Sequence, residues 1–323
     1  MDIWAVSDLA TPWCLHVAVT LRIAEHISAG KENIADLAAA AGADPDALCR
    51  VLRELAQKGF FEEPSPGRFA LNDAARILLE PGMREGFDLD AFGGRMAYTW
   101  STLLKVVRTG KPAYQDVFGR DFWSDLEANP AIANSFDVLM GPGHGYPDPE
   151  VLLDPGEWDS IRTVVDIGGG TGSLLAKVLS ARPHVRGTLV DLPRTVARSA
   201  EVFETAGVAD RASVSAQSFF DPLPAGADLY MLSRVLADWP DAEALQLLHR
   251  CAEAARPNGR VVLLNGVTPA DRASPDLLML ILVGGKDRTL DQFRDLAHRA
   301  GLIVRASGRT NSGRFIVECV PTD

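Results

Sequence analysis

Residues Thr163 to Gly172 read TVVDIGGGTG, and no other stretch of this 323-residue chain concentrates so much chemistry. Thr163, Val164 and Val165 are β-branched, as a buried parallel strand prefers. Asp166 falls at the strand's end, just ahead of Gly168, Gly169, Gly170 and Gly172. Glycines there let the backbone turn sharply and approach a ligand closely, and the following SLLAKVLSA supplies a helix N-terminus. The nearest rival is a dinucleotide loop, but that fingerprint needs Gly or Ala where Ser173 stands and puts no acid before its first glycine. An acid at Asp166 suits a ligand with a cationic end rather than a pyrophosphate. Further on, Asp191 ends a second strand-like run, GTLVD, where a carboxylate can take both hydroxyls of a ribose.

Such loops need a parallel sheet to hold them, and the second half of the chain alternates strand and helix as a doubly wound sheet requires. Strands are expected near Thr163–Ile167, Gly187–Asp191, Ala212–Ser215, Leu229–Leu232 and Val261–Asn265. Thr289 and Gln292 form a capping-box start for a helix that Gly301 stops, and Leu302–Ala306 with Phe315–Val320 read as a closing antiparallel pair. Ahead of this lies a helical middle rich in large side chains, then GPGHGYPDPE, a Gly- and Pro-dense linker. Leu9–Ile27 reads as one apolar helix, greasier than a single buried face needs, so a partner subunit is expected to cover it. Behind it a helix-turn-helix breaks at Gly42, restarts at Asp44-Pro45, and runs into a small β-wing between Phe60 and Phe69. The expected division is 1–87, 88–150 and 151–323.

Composition narrows the function. A net charge of −11 argues against a general nucleic-acid binder. In the winged unit Arg50, Arg53 and Lys58 are offset by Asp46, Glu54, Glu62 and Glu63, so a structural role is favoured over DNA binding. No stretch has the length of a transmembrane helix, and Met1–Ala10 lacks a basic export region, so the expectation is cytoplasmic. Cys14, Cys49, Cys251 and Cys319 lack C-x-x-C spacing and are expected to be reduced, buried thiols. The six His are dispersed, and no metal site is expected.

Asp166 to Gly172 and Asp191 together resemble motif I and its acidic partner in class I S-adenosylmethionine (SAM) methyltransferases. The chain as a whole resembles the bacterial relatives of plant small-molecule O-methyltransferases, the group holding anthracycline and hydroxyneurosporene methyltransferases. The markers are the winged-helix front end, RTGKPAYQDVFG at Arg108, DIGGGTG at Asp166, FFDPLPAGADLY at Phe219, RVLADWPD at Arg234 and LVGGKDRTLDQF at Leu282. The resemblance implies an α/β fold: a doubly wound, Rossmann-like SAM-binding domain behind an N-terminal, mostly helical, winged-helix dimerisation domain. It also implies a homodimer whose N-terminal helices close each partner's pocket, with S-adenosylhomocysteine as the coproduct. SAM would be held by Asp166, Gly168 and Gly170, with Asp191 and Leu192 at the ribose, Ser218 and Phe219 against the adenine, and Ser233 and Arg234 near the methionine end. The family usually has an acid where Ser218 stands. Met96, Trp100, Phe136, Met140, Trp239 and Met279 match stretches that line the acceptor pocket, implying a flat aromatic acceptor.

One departure matters most. The family's base is a His followed by Asp-Trp, oriented by two acids; here the positions hold Ala237, Asn265 and Asp287. Alanine cannot exchange a proton, and losing a general base typically forfeits ~10²- to 10⁴-fold in rate. Three readings follow: transfer by proximity to an O, C or N nucleophile; another base, such as His144 or Tyr146 in the linker or His16 from a partner; or a SAM-binding relative that catalyses hydroxylation or a pericyclic step. A winged-helix regulator that senses SAM is the reading from a different class.

Overall fold

A computed structural model describes residues 3–80, 82–140, 149–271 and 273–322. The chain divides into two compact units, Met1–Ser101 with Trp123–Met140, and Thr102–Phe122 with Gly141–Asp323. The middle segment expected at 88–150 is therefore shared between them.

In the first unit, the apolar positions of the N-terminal stretch build helices Ala10–Thr20 and Ile23–Ser28 rather than one continuous helix. Arg22 sits between them at φ 55°, in the left-handed region that ends a helix. Nothing in the residue type announces this break, because arginine is a good helix former. Val19, Ile23 and Ile27 nevertheless share a core with Leu37, Leu48, Leu52, Leu55, Phe61 and Phe69. Helices Ile34–Ala41 and Pro45–Gln57 follow as read, with Gly42 left-handed and the Asp44 carboxylate accepting from Ala47 N. Strands β1 (Glu62–Ser65) and β2 (Arg68–Ala70) form the wing. Each of its neighbouring cations meets an acid: Arg50 with Asp46, Arg53 with Glu63, Lys58 with Asp8 and Arg68 with Glu32. Ile3, Val6 and Leu9 are exposed at three-residue spacing, an apolar stripe that nothing among the described residues covers.

The second unit holds β3 (Thr163–Ile167), β4 (Arg186–Asp191), β5 (Ala212–Ala216), β6 (Leu229–Ser233) and β7 (Arg260–Leu264). It continues through the short pair β8 (Val267–Thr268) and β9 (Arg288–Thr289) to β10 (Leu302–Arg309) and β11 (Phe315–Pro321). Among the described residues seven strands form one sheet in the order β10-β11-β7-β6-β3-β4-β5, parallel except at β10 and β11. Alternate residues feed opposite cores, because side chains of a strand alternate between faces. Val164, Leu229, Met231 and Val262 pack with helices Ser173–Ala181 and Ser199–Thr205. Val165, Ile167, Tyr230, Leu232 and Val261 pack with helices Asp241–Ala255 and Leu290–Arg299. Both faces are covered, so Val164, Val165 and Ile167 of β3 can all be apolar, with Asp166 the one buried charged side chain of the strand. The Thr289–Gln292 capping box is present with both of its hydrogen bonds. Asn265, read as the last residue of β7, instead leaves the ladder at φ 69°. The four cysteines are free, but only Cys251 and Cys319 are buried; Cys14 and Cys49 are half-buried, short of the expectation.

One carboxylate pins the sheet's central pair at its N-terminal edge. Asp228 Oδ2, just before β6, accepts from Arg162 N at 2.8 Å, Thr163 N at 2.9 Å and Thr163 Oγ1 at 3.0 Å. Burial pushes its pKa up, but these donors outweigh burial and hold it below the usual carboxylate value. A depressed folded pKa gives stability that is present above the unfolded value, near ~4, and lost as pH falls through the folded one. Asp228→Asn should cost about 1–2 kcal/mol at neutral pH, since bonds to a charged acceptor are the stronger kind. Thermal melting should show the wild-type advantage at pH 7 and its disappearance on acidification; a pH-independent gap would remove the carboxylate's charge from the account.

Candidate active site

In a parallel sheet, ligands bind outside the C-terminal strand ends where the strand order reverses. Here β3, β4 and β5 step one way and β6 and β7 the other, so the reversal lies between β3 and β6. The sequence-predicted donor residues converge on it. Gly168 follows β3, Asp191 closes β4, Ser218 and Phe219 follow β5, and Ser233 and Arg234 end β6. Gly168 and Gly170 lie at φ 65° and 63°, and Gly168 also passes so close to Val235 that a Cβ would stand 2.7 Å from its Cγ2. Nothing lies within 4 Å of the Cβ direction of Gly170, so the loop's open side is there. The Asp191 carboxylate organises the same loop: Oδ2 accepts from Gly170 N at 2.9 Å and Oδ1 from Leu192 N at 2.7 Å. A carboxylate oxygen can accept more than one hydrogen bond, so a group that orders the loop in this way can also take a ligand hydroxyl.

Asp166 lies beneath this loop. It is fully buried, and neither carboxyl oxygen has a side-chain or main-chain hydrogen-bond partner of normal geometry. A Cβ on Gly169 would stand 2.5 Å from its Oδ2. Burial, and then the neighbouring charge of Asp191, push its pKa up to about 7. A buried, uncompensated carboxyl beside a second one makes the loop a favourable place for positive charge. The residues therefore fit a ligand that carries a sulfonium and an ammonium next to a ribose. Ser218 departs from a purely ligand-facing role, because its Oγ accepts from Phe220 N at 3.2 Å within its own turn. Arg234, at φ 60°, is a bulky residue in a strained backbone region, a state that clusters at functional sites.

The three altered positions of the base also come together. The ladder between β8 and β9, Val267 with Arg288, brings the segments carrying Asn265 and Asp287 side by side. A Cβ on Gly266 would stand 3.3 Å from the Cβ of Ala237, so the Ala237 methyl faces that same segment. Asn265 is also what its backbone asks for, since Asn tolerates φ 69° better than most residues. Two acids absent from the sequence-based expectation join them. Burial, and then Asp276, push Asp238 up to about 7, and the same two causes raise Asp287. Asp276 itself caps the helix Leu277–Val283, accepting from Met279 N. Among the described residues no group of His, Cys, Asp and Glu could hold a metal ion.

The expected acceptor-lining residues are distributed over both units. Trp239 stands edge-on to Phe219 and Phe220, at 5.8 and 4.8 Å between ring centroids, so it shares an aromatic cluster with the cofactor-side Phe219. Met279 lies in the helix Leu277–Val283 of the same unit. In the first unit Phe136 packs against Phe92 and Trp123, Met96 is half-buried, and Trp100 and Met140 are exposed. His16 Nδ1 is 2.6 Å from the Phe87 carbonyl, which can only accept, so Nδ1 carries the proton and Nε2 is left as the basic nitrogen when the ring is neutral. His144 and Tyr146 lie outside the described residues. Arg288, which the sequence offered only as one charged residue among several, is fully buried against the 236–241 segment.

Comparison with known proteins agrees with this geometry. The O-methyltransferase domain model matches residues 100–303, and the O-methyltransferase dimerisation domain model matches residues 5–81. The chain is 41% identical to the 2,7-dihydroxy-5-methyl-1-naphthoate 7-O-methyltransferase of Streptomyces carzinostaticus, over 94% of this chain and 92% of that protein. It is 40% identical to aclacinomycin 10-hydroxylase RdmB of Streptomyces purpurascens, over 95% of this chain and 84% of that one. Among solved structures, the O-methyltransferase NcsB1 from neocarzinostatin biosynthesis, in complex with SAM and 2-hydroxy-5-methyl naphthoic acid, superposes with a TM-score of 0.90. That match covers 99% of both chains at 39% identity. A glycine loop beside a buried and a half-buried acid, a doubly wound sheet and a helical front end thus occur here together, as in one known enzyme group: the chain belongs to the O-methyltransferase family and is a SAM-dependent methyltransferase.

Proposed function

We propose that the protein methylates a phenolic hydroxyl of a fused-ring aromatic secondary metabolite without a protein base at the family's usual position. The acceptor class is supported by the naphthoate-methylating relative and by the naphthoic acid in the NcsB1 complex. The observation that carries the base-free reading is Ala237, a methyl group directed at the Gly266 segment where the family places its proton acceptor. When bound, SAM supplies an electrophilic methyl on a sulfonium, open to in-line attack by an oxygen nucleophile.

The chain's own residues then have limited tasks. Asp191 and the Gly168–Gly170 turn fix the ribose end, while Asp166 and Asp191 favour the cationic end electrostatically. Ser218, Phe219, Ser233 and Arg234 complete the donor cradle, and Met96, Trp100, Phe136, Met140, Trp239 and Met279 orient the acceptor ring. Alignment of this kind is worth ~7–11 kcal/mol, enough to offset the ~10²- to 10⁴-fold lost with a base when the phenol is already acidic. The protein acts as a homodimer in the cytoplasm, its exposed Ile3–Val6–Leu9 stripe covered by the second copy. The division at 1–87, 88–150 and 151–323 assigns dimerisation, acceptor binding and donor binding in turn.

Incubation with SAM and a panel of hydroxynaphthoic acids, 1,4-dihydroxy-2-naphthoic acid among them, should give methylated product and S-adenosylhomocysteine in equal amounts. An oxygenated product without a new methyl would overturn the assignment. Asp191→Ala removes the partner of two main-chain amides, and calorimetry should show SAM binding weakened on the order of 10- to 100-fold. Unchanged affinity would move the ribose site elsewhere. Without an enzymic base, the pH profile of kcat/KM should follow the acidity of the acceptor, shifting when a more acidic phenol is supplied. A midpoint that stays put for every acceptor would identify a protein group as the base. Ala237→His should leave kcat unchanged or lower, because Asn265 stands where the family's first orienting acid would hold the imidazole; a gain approaching ~10²-fold would show that a base had merely been lost.

A further inference from the structure

We propose that Arg288 is a positioning residue for methyl transfer: its guanidinium fastens the segment that carries position 237 to the segment that carries position 287. The inference rests on the methyl-transfer reading above but concerns a residue outside both the donor cradle and the acceptor wall. Arg288 is fully buried, and such a charge persists only where its donors are satisfied. Nε and Nη2 both donate to Asp241 Oδ1, at 3.0 and 2.9 Å. Nη2 also donates to the Trp239 carbonyl at 2.8 Å, and Nη1 to the carbonyls of Leu236 and Lys286 at 3.2 and 3.3 Å. Four of the five hydrogen bonds therefore go to main-chain or side-chain oxygens of residues 236, 239 and 241, which bracket Ala237 and Asp238.

The opposing segment has no slack. A Cβ on Gly285 would stand 2.2 Å from the Ala237 carbonyl oxygen and 2.9 Å from the Asp238 Cα, so the two backbones already touch. Lys286 adds a second tie, donating to Asp241 Oδ2 at 2.7 Å. A planar guanidinium offers five donors in a fixed fork and can hold the Leu236 and Trp239 carbonyls and the carboxylate together, whereas an ammonium has three donors on one atom and cannot span them. The consequence is kinetic. The turn Leu236–Asp238 and the Trp239 ring, edge-on to Phe219 and Phe220, keep one pitch relative to the donor loop. In a site that works by alignment alone, a displacement of ~1 Å can cost ~10²-fold in rate.

The test is Arg288→Lys in the full-length protein, labelled with 5-fluorotryptophan, with the Trp239 resonance assigned through Trp239→Phe. With the hydroxynaphthoic acid panel, kcat should fall on the order of 10- to 100-fold. KM and the SAM dissociation constant should stay within about threefold, the signature of an interaction lost in the transition state. The Trp239 fluorine line should shift or broaden while the other tryptophan lines hold. Asp241→Asn, which leaves the carbonyl contacts in place, should give a smaller loss of kcat and the same spectral change. It also decides the matter if Arg288→Lys does not fold. Wild-type kcat and an unmoved Trp239 line would overturn the proposal, as would a loss of SAM affinity parallel to the loss of kcat. If the wild type methylates no member of the panel, the acceptor reading fails, and the Trp239 line still decides the role of Arg288.

Discussion

Asp166 lies one residue before the end of β3 and Asp191 closes the adjacent β4, so burial and then the charge of Asp191 raise the cost of ionising Asp166, and the proposed donor site is built around that cost. Asp191 is satisfied from within, by the amides of Gly170 and Leu192. Asp166 is not: it is buried, without such donors, and pushed up to about 7. A loop that held only neutral groups would gain little by binding a cation there. With one charge anchored and the other uncompensated, positive charge near the loop relieves a cost that the fold otherwise carries. The glycines matter in this setting because they let main chain rather than side chain separate the acids from the ligand.

The same economy explains how the chemistry at position 237 can change without disturbing the donor site. The donor cradle hangs on β3, β4 and β6. The base position hangs on the turn after β6 and on the β8–β9 pair, which are held by Arg288 and by close glycine contacts rather than by the side chain at 237. The backbone there is thus held by contacts other than the side chain at 237. What a missing base alters is what receives the proton, and on the proposed reading a phenol of sufficient acidity gives it to water before the methyl moves.

How far the sequence reveals this depends on the range of the interaction concerned. Thr163–Ile167 and the Thr289 capping box were legible to the residue, because β-branched runs and side-chain caps are local chemistry. The glycine loop was legible for the same reason, since its turn, acid and helix start are contiguous. The break at Arg22 and the departure of Asn265 from β7 were not, because both are left-handed residues whose types do not demand it. Arg288 was least legible of all. In GGKDRT it reads as one surface charge among three, and only the fold reveals that its partners stand some fifty positions earlier, at Leu236, Trp239 and Asp241.

That separation bears on whether the altered triad marks a decayed site. Arg288 is costly to bury, and removing its partners would leave an unpaired charge in the interior, at about 3–5 kcal/mol. Four of its hydrogen bonds serve the 236–241 segment, one goes to the Lys286 carbonyl, and none reaches the residues of the donor cradle. Gly266 and Gly285 likewise make room for that segment alone, one against Ala237 Cβ and the other against its carbonyl. A site whose chemistry had lapsed would not require so close a fit around the lapsed position, whereas a site that catalyses by alignment requires it more than one with a base does. On the proposed base-free reading, the packing around Ala237 is the physical counterpart of the absent imidazole: the segment is held closely where the acceptor itself would have to give up its proton.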